Sequence, residues 1–222
     1  MRIAAFETST DWCSIALWID GEIAALERRA GLRHTELALP MLERLLANSG
    51  TAVAALDAIA YGAGPGSFTG LRIACGIAQG LAMARGLPVF GVSTLEAIAE
   101  ESGASRVVVC IDARMREVYY ACLERSGGAW RAVISPRCVP PAAVVPPPGA
   151  GWVGCGSGFS AYPEMLDRVA ARVLPDVHPS AVAVARIAAP PLARGEGVDA
   201  ALAAPTYLRD KVAMTIEERG SR

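Results

Sequence analysis

Histidine, aromatic residues and an excess of either charge are all scarce in these 222 residues. Only His34 and His178 occur, aromatics make up 6%, and 21 Lys plus Arg against 22 Asp plus Glu leave a net charge of −1. Balanced charge gives no whole-chain attraction to phosphate backbones, so any nucleic acid must be brought in by something other than bulk charge. Neither histidine lies in an H-E-x-x-H helix, and the residue four beyond His34 is Ala38. A histidine pair for a metal is therefore missing. There is no G-x-S-x-G elbow, because Pro65 stands two residues before Ser67, and no Gly-Lys-Ser/Thr of a P-loop. The six cysteines (Cys13, Cys75, Cys110, Cys122, Cys138, Cys155) contain no C-x-x-C pair and mostly sit in apolar segments. They read as small reduced core residues rather than a disulfide framework or a metal site. Long apolar runs are missing too. Ala-rich stretches are cut by Arg, Gln, Pro or Gly before the roughly 18 residues of a membrane span accumulate. Glu7 interrupts any signal-peptide core, so a cytoplasmic protein without a membrane role is expected.

What is present is a large apolar fraction, 53% hydrophobic, with mean hydropathy +0.34. A chain of this length buries roughly 70% of its unfolded surface, and such a composition excludes a solvated coil. Residues 2–6, 13–19 and 22–27 read as strands, the last two joined by Asp20-Gly21, a dipeptide suited to a type I′ hairpin. The period then changes. Ala38, Met41, Leu42, Leu45 and Leu46 form one helical stripe, with Pro40 at its start or at a bend and Gly50 closing it. Residues 56–61 read as a buried strand, 71–85 as a helix ending at Gly86, and 88–92 as a strand. Ser93 is placed to cap a helix to Glu101, with Glu96 at the capping-box position.

From Gly103-Ala104-Ser105, the best boundary, the opening repeats: strands at 106–111, 117–123 and 130–134 around turns at 113–116 and 125–128. Two meanders ahead of helical material suggest two copies of one βββα plan, on element order alone. Residues 136–149, with six prolines, read as an extended loop. A strand at 152–155 and helices at 159–173 and 181–189 follow, the second helix stopped by Pro190-Pro191. Residues 205–209 look like a short ordered run before a frayed end.

The sharpest feature is Gly62-Ala63-Gly64-Pro65-Gly66-Ser67-Phe68-Thr69-Gly70. Glycines let backbone N–H groups approach a ligand, and Ser67 or Thr69 is placed to cap the next helix with its positive end facing the loop. The segment reads equally as an anion cradle or as a tight strand-to-helix turn, since its G-x-G-x-x-x-G spacing misses the dinucleotide fingerprint by one residue. The helix after it is rich in small residues, as in a buried helix or one packed closely on a partner. Glu7 and Asp112 end the first strand of each half. Two such acids fit a metal-bound nucleotide held between lobes, or simply hydrogen bonds to turns. Arg28, Arg29 and Arg33 read as a solvated basic surface. No nucleophile, base and orienter share a motif.

The run Asp57-Ala-Ile-Ala-Tyr-Gly-Ala-Gly-Pro-Gly-Ser-Phe-Thr-Gly-Leu-Arg-Ile73 resembles the signature of the bacterial tRNA threonylcarbamoyladenosine biosynthesis proteins of the TsaB (YeaZ) family. So do Glu7-Thr8-Ser9-Thr10, His34-Thr35-Glu36, Gly91-Val-Ser-Thr-Leu-Glu96, Asp112-Ala-Arg-Met115 with Glu117-Val-Tyr119, and Tyr207-Leu-Arg-Asp210, in order along the chain. The resemblance implies an α/β, actin-like ATPase (ASKHA, RNase H-like) fold of two βββα-based lobes: 1–103 with the Gly-rich loop and interface helices, a degenerate lobe at 104–206, and a tail at 207–222. It implies a non-catalytic partner of a related subunit, TsaD, which transfers threonylcarbamoyl to N6 of adenosine 37 in tRNAs reading ANN codons, with a TsaE-like ATPase joining. Helices near 35–48 and 69–85 are then the partner face, and the homodimer face when the chain is alone. Met41, Leu45, Ala74, Ala78 and Leu81 are the candidate contacts. The Gly-rich loop residues are Gly64, Gly66, Ser67, Thr69, Gly70 and Arg72, and Glu7 and Asp112 are degenerate nucleotide-site acids. No metal and no cofactor of its own are implied, with ATP or ADP having a place at the partner boundary and tRNA reaching the chain through the complex. The family usually has Asp where Glu7 stands and often Arg where Ala63 stands, which favours a scaffold. An independent ASKHA-type ATPase or kinase is the alternative; a metallopeptidase is a third reading.

Overall fold

Five strands whose order is not the chain order build the first lobe. β1 (Arg2–Glu7), β2 (Trp12–Ile19) and β3 (Glu22–Arg29) form an antiparallel meander. β4 (Ala58–Gly64) and β5 (Val89–Ser93) add parallel to it, giving β3-β2-β1-β4-β5. Asp20 (φ 49°) and Gly21 (φ 103°) are both left-handed and Ile19 pairs with Glu22, as a type I′ hairpin demands. The central strands β1 and β4 are buried almost throughout, whereas the edge strand β3 carries Glu22, Glu27, Arg28 and Arg29, charges that discourage edge-to-edge pairing. The structure, a computed structural model, describes residues 1–209; the expected tail beyond Arg209 lies outside the described residues.

The second sheet repeats the first. β6 (Arg106–Asp112), β7 (Val118–Ser126) and β8 (Ala129–Val139) form the meander, and β9 (Val153–Cys155) and β10 (Arg172–Leu174) add in parallel, in the order β10-β9-β6-β7-β8. This is the duplicated, two-lobed α/β arrangement of the actin-like fold. β8 runs further than the strand expected at 130–134. Pro136 joins it because an edge strand tolerates a residue with no ladder donor, so the extended loop expected at 136–149 starts only after Val139.

Helices cover both faces of sheet one. α1 (His34–Ser49) and α2 (Phe68–Met83) pack Met41, Leu42, Leu45, Ala74 and Ala78 on Phe6, Ile15, Leu17, Ile59 and Tyr61. α1 begins before Pro40 and runs through it to Gly50, left-handed at φ 63°. α2 begins earlier than expected, because Ser67 accepts a hydrogen bond from the Gly70 N–H and caps it. α6 (Ala181–Ala193) covers the other face, its alanines against Ile3, Ala5, Ala16, Ala58 and Ala60. It passes through Pro190-Pro191, where a stop was expected. The carbonyls deprived of donors belong to exposed Arg186 and half-buried Ile187, within reach of water.

The lobe boundary is also corrected. α3 (Thr94–Glu101) lays Leu95, Ile98 and Ala99 on Val107, Val109 and Leu123 of sheet two, while α6 returns to sheet one. Val198 pairs with Val89, and Gln79 and Tyr61 hold the backbone of Ala203 and Ala204. Residues 181–206 thus pack in the first lobe, not with 104–180. The helix expected at 159–173 is instead two single turns, α4 (Gly158–Ala161) and α5 (Leu166–Val169), separated by a 3-10 turn at Pro163 and followed by β10. Ser93 makes no side-chain cap to α3. Glu96 is pushed up by burial. All six cysteines are free and all but Cys138 are buried; burial pushes the Cys122 thiol up to about 12 and the Cys13 thiol up to about 11.

Candidate functional site

The Gly-rich segment leaves β4, rounds a cis Gly64–Pro65 peptide and enters α2. Each of its glycines faces an atom of the same chain. A Cβ at Gly62 would lie 2.0 Å from Glu7 Oε2, at Gly64 2.6 Å from the Thr206 carbonyl, at Gly66 2.6 Å from the Ser9 carbonyl, and at Gly70 1.9 Å from the Thr8 carbonyl. Three N–H groups at the start of α2 are already bonded within the chain. Ser67 N–H donates to Ser9 O (2.8 Å), Gly70 N–H to Ser67 Oγ (3.3 Å) and Leu71 N–H to Ser67 O (2.9 Å). Thr8 Oγ1 donates to Gly70 O at 2.7 Å. The glycine contacts are those of a tight turn packed on the β1–β2 turn.

Arg72 and Thr69 lie on the outer side of the loop. Thr69 is exposed. The Arg72 guanidinium lies 3.8 Å from the Phe68 ring centroid, and its Nε donates to Tyr207 Oη at 3.1 Å. The two acids stay apart in their bonding. Glu7 is fully buried: Oε1 accepts from Ser9 N–H at 2.6 Å, Oε2 has no partner among the described residues, and burial pushes the carboxyl above the usual range. Asp112 accepts from the Arg114 N–H (2.8 Å) and from Tyr162 Oη (3.4 Å), and pairs with the Arg114 guanidinium at 3.2 Å. Each acid thus serves its own turn. Among the described residues, no three His, Cys, Asp or Glu side chains converge as a metal-binding group. His34, at the start of α1, is buried, and burial lowers its pKa.

The expected partner contacts need correcting. Ala74 and Ala78 have no exposed surface, and Met41 and Leu45 are also buried. All four belong to the core between the helices and sheet one; only Leu81 partly reaches the surface. The stripe that made them conspicuous is the inward one. The opposite face of α2 carries Thr69, Ile73, Gly76, Gly80 and Met83 at i, i+4, i+7, i+11 and i+14. Among the described residues a Cβ at Gly76 or Gly80 would meet nothing within 4 Å, and Met83 is 65% exposed. On α1, Leu39 is 43% exposed. A flat face with two glycines one turn apart was the signal available in the sequence, hidden by small residues all around the helix.

A protein from Pseudomonas aeruginosa described as YeaZ superposes with a TM-score of 0.88 at 40% identity, covering 93% of this chain and 99% of that one. A second Pseudomonas aeruginosa structure, described as an uncharacterized protein with similarity to peptidase YEAZ, gives 0.89 at 40% identity, covering 94% and 99%. The tRNA threonylcarbamoyladenosine biosynthesis protein TsaB of Escherichia coli K12 is 42% identical over 226 residues, 96% of each chain. This chain belongs to the TsaB family. The TsaB protein of Haemophilus influenzae is 39% identical, over 76% of this chain and 77% of that one. A family model described as TsaD, tRNA N6-adenosine threonylcarbamoyltransferase, matches residues 28–217. The near full-length match to TsaB proteins decides the branch of that wider family. Among the described residues no helix is long and apolar enough to cross a membrane.

Proposed function

We propose that this chain is a non-catalytic scaffold that binds and activates a TsaD-type transferase for N6-threonylcarbamoylation of adenosine 37 in tRNAs reading ANN codons. Its kinship to TsaB proteins supplies the pathway. The observation that carries the non-catalytic part is the packed Gly-rich loop, whose glycines meet the chain's own Glu7, Thr8, Ser9 and Thr206 and whose Ser67 N–H donates to Ser9 O. A scaffold needs a face, and the outward side of α2, with Ile73, Gly76, Gly80 and Met83, lets a partner helix approach closely where the glycines lack side chains. The same face serves a homodimer when the transferase is absent. A TsaE-like ATPase joins the pair, tRNA reaches the chain through the complex, ATP or ADP sits at the boundary with the partner rather than in this chain, and the assembly works in the cytoplasm.

Nucleoside mass spectrometry on total tRNA from depleted cells tests the pathway: threonylcarbamoyladenosine falls and returns on re-expression. Unchanged modification under confirmed depletion refutes it. Co-purification of the transferase with the wild-type chain, and its failure with Gly76→Leu, tests the face. Magnesium-dependent ATP hydrolysis by the pure chain, lost in Glu7→Ala, would instead support an independent ATPase.

A further inference from the structure

We propose that Thr206–Arg209 is a releasable strap that occupies the cleft between the lobes and holds the β6–β7 turn in a strained, left-handed form. The strap starts in the first lobe, where the Thr206 N–H donates to Ala63 O at 2.7 Å and the Thr206 carbonyl fills the space beside Gly64. Tyr207 then lies against Phe68, with ring centroids 5.5 Å apart, and receives the Arg72 hydrogen bond. Arg209 crosses to the second lobe. Its Nη1 donates to Ala113 O at 3.0 Å, its Nη2 reaches Arg114 O at 3.4 Å and ion-pairs with Glu117, and Cys138 Sγ and Met115 Sδ each lie at 3.5 Å. The guanidinium is also 5.9 Å from the Tyr119 ring centroid, and the side chain is only 15% exposed. What remains of the cleft between Pro65, Gly66, Leu71, Tyr119 and the strap is a partly open pocket of about 40 Å³, room for a few waters.

The turn under Arg209 supplies the second half of the inference. Arg114, Met115 and Arg116 have φ of 60°, 55° and 59°. Three successive non-glycine residues in the left-handed region are costly and persist only where the surroundings hold them. The groups that hold this turn include the Arg209 fork, bonded to the carbonyls of Ala113 and Arg114. With the fork in place the turn projects an Arg-Met-Arg tip: the Arg114 side chain is 82% exposed, paired among the described residues only with Asp112 beside it, and Met115 is 45% exposed. Without the fork the Ala113 carbonyl loses its donor and the Arg114 carbonyl keeps only the Glu117 N–H at 3.1 Å, the turn relaxes towards ordinary backbone, and the lobes lose a link that bypasses the α3 and α6 packing. Strap and turn thus form one two-state element. It stands independently of the transferase reading, since it rests on the chain's own contacts.

Limited trypsin digestion of the full chain tests it, because the protease cuts after Arg114 and Arg116 only when that backbone is extended. The wild type should resist at these two bonds. Arg209→Ala should speed cleavage there by about tenfold or more, with the rate after Arg125, in the β7–β8 turn, unchanged. Glu117→Gln, which keeps the fork's carbonyl partners, should give a smaller rise, and Arg209→Lys, which keeps charge but not the fork, an intermediate one. Hydrogen exchange of residues 112–118 should follow the same order. Unchanged cleavage at Arg114 and Arg116 in Arg209→Ala overturns the proposal. An equal rise at Arg125 and across both sheets overturns it too, since the tail would then be ordinary structural packing.

Discussion

Replacing Gly70 by alanine sets two effects against each other, and the structure decides between them. Alanine is favoured over glycine by about 1 kcal/mol in a helix interior, less in a first turn. Here, however, the new methyl would stand 1.9 Å from the Thr8 carbonyl oxygen, where ordinary contact begins near 3.4 Å. The obstacle is backbone, so no side chain can swing aside. Relief requires the β1–β2 turn and α2 to part by more than an ångström. That movement breaks or stretches the Thr8 Oγ1–Gly70 O and Ser67 N–Ser9 O bonds, now 2.7 and 2.8 Å. Overpacking costs about 1–3 kcal/mol and each hydrogen bond contributes about 1 kcal/mol net. Against a gain below about 1 kcal/mol, the net loss is about 3 kcal/mol, which lowers Tm by roughly 6–12 °C in a chain of this size. Thermal unfolding read by circular dichroism measures it. Gly76→Ala is the control. It lies in the same helix with nothing within 4 Å, so it should gain about 0.5–1 kcal/mol. A Gly70→Ala protein as stable as the wild type would refute the closed-loop account, since it would show that the turn and the helix are free to separate.

The other predictions address the face and the titrating groups. Ile73→Arg with Met83→Glu should leave stability within about 1 kcal/mol yet abolish capture of a TsaD-type partner, whereas Ala78→Leu should destabilise the chain by about 1–3 kcal/mol through overpacking; capture unaffected by the first pair would discard the outward face. Burial raises the Glu7 carboxyl pKa, so the folded state holds the proton to higher pH than the unfolded chain, and Glu7 makes stability fall as pH rises above about 4.5. Glu7→Gln should flatten that decline in urea titrations between pH 4.5 and 8, and parallel curves for the two proteins would count against it. His178 is held up chiefly by its hydrogen bond to Glu27 and stacks on Trp12 at 4.6 Å. Its stabilisation is full below about pH 6.5 and is lost as pH rises through the raised folded value. The pH-dependent part of the Trp12 fluorescence should therefore vanish in His178→Gln; an unchanged profile would mean that the imidazole does not titrate there.

The sheets were legible because their signals are local. Asp20-Gly21 dictates a hairpin, and the repeated meander dictated two lobes. What crosses between lobes was not legible. Nothing in the stripe of α3 says that Leu95 and Ile98 serve the second sheet, because an apolar face does not name its partner. The Ala-rich α6 likewise gives no hint that it returns to sheet one. The small-residue helix misled for a related reason. α2 carries small side chains both inward, where Ala74 and Ala78 fit under the sheet, and outward, where Gly76 and Gly80 leave a flat surface. Periodicity gives the angle between two faces but not which one is wet.

The Gly-rich loop shows the same ambiguity at the level of chemistry. Glycine is required wherever backbone approaches another group closely, and a phosphate and a neighbouring carbonyl make that demand in the same way. At Gly62, Gly64, Gly66 and Gly70 the neighbours are Glu7, Thr206, Ser9 and Thr8, so every glycine has an explanation inside the chain. The N–H groups of Ser67, Gly70 and Leu71 also have acceptors within the chain. The backbone that these glycines admit is the protein's own.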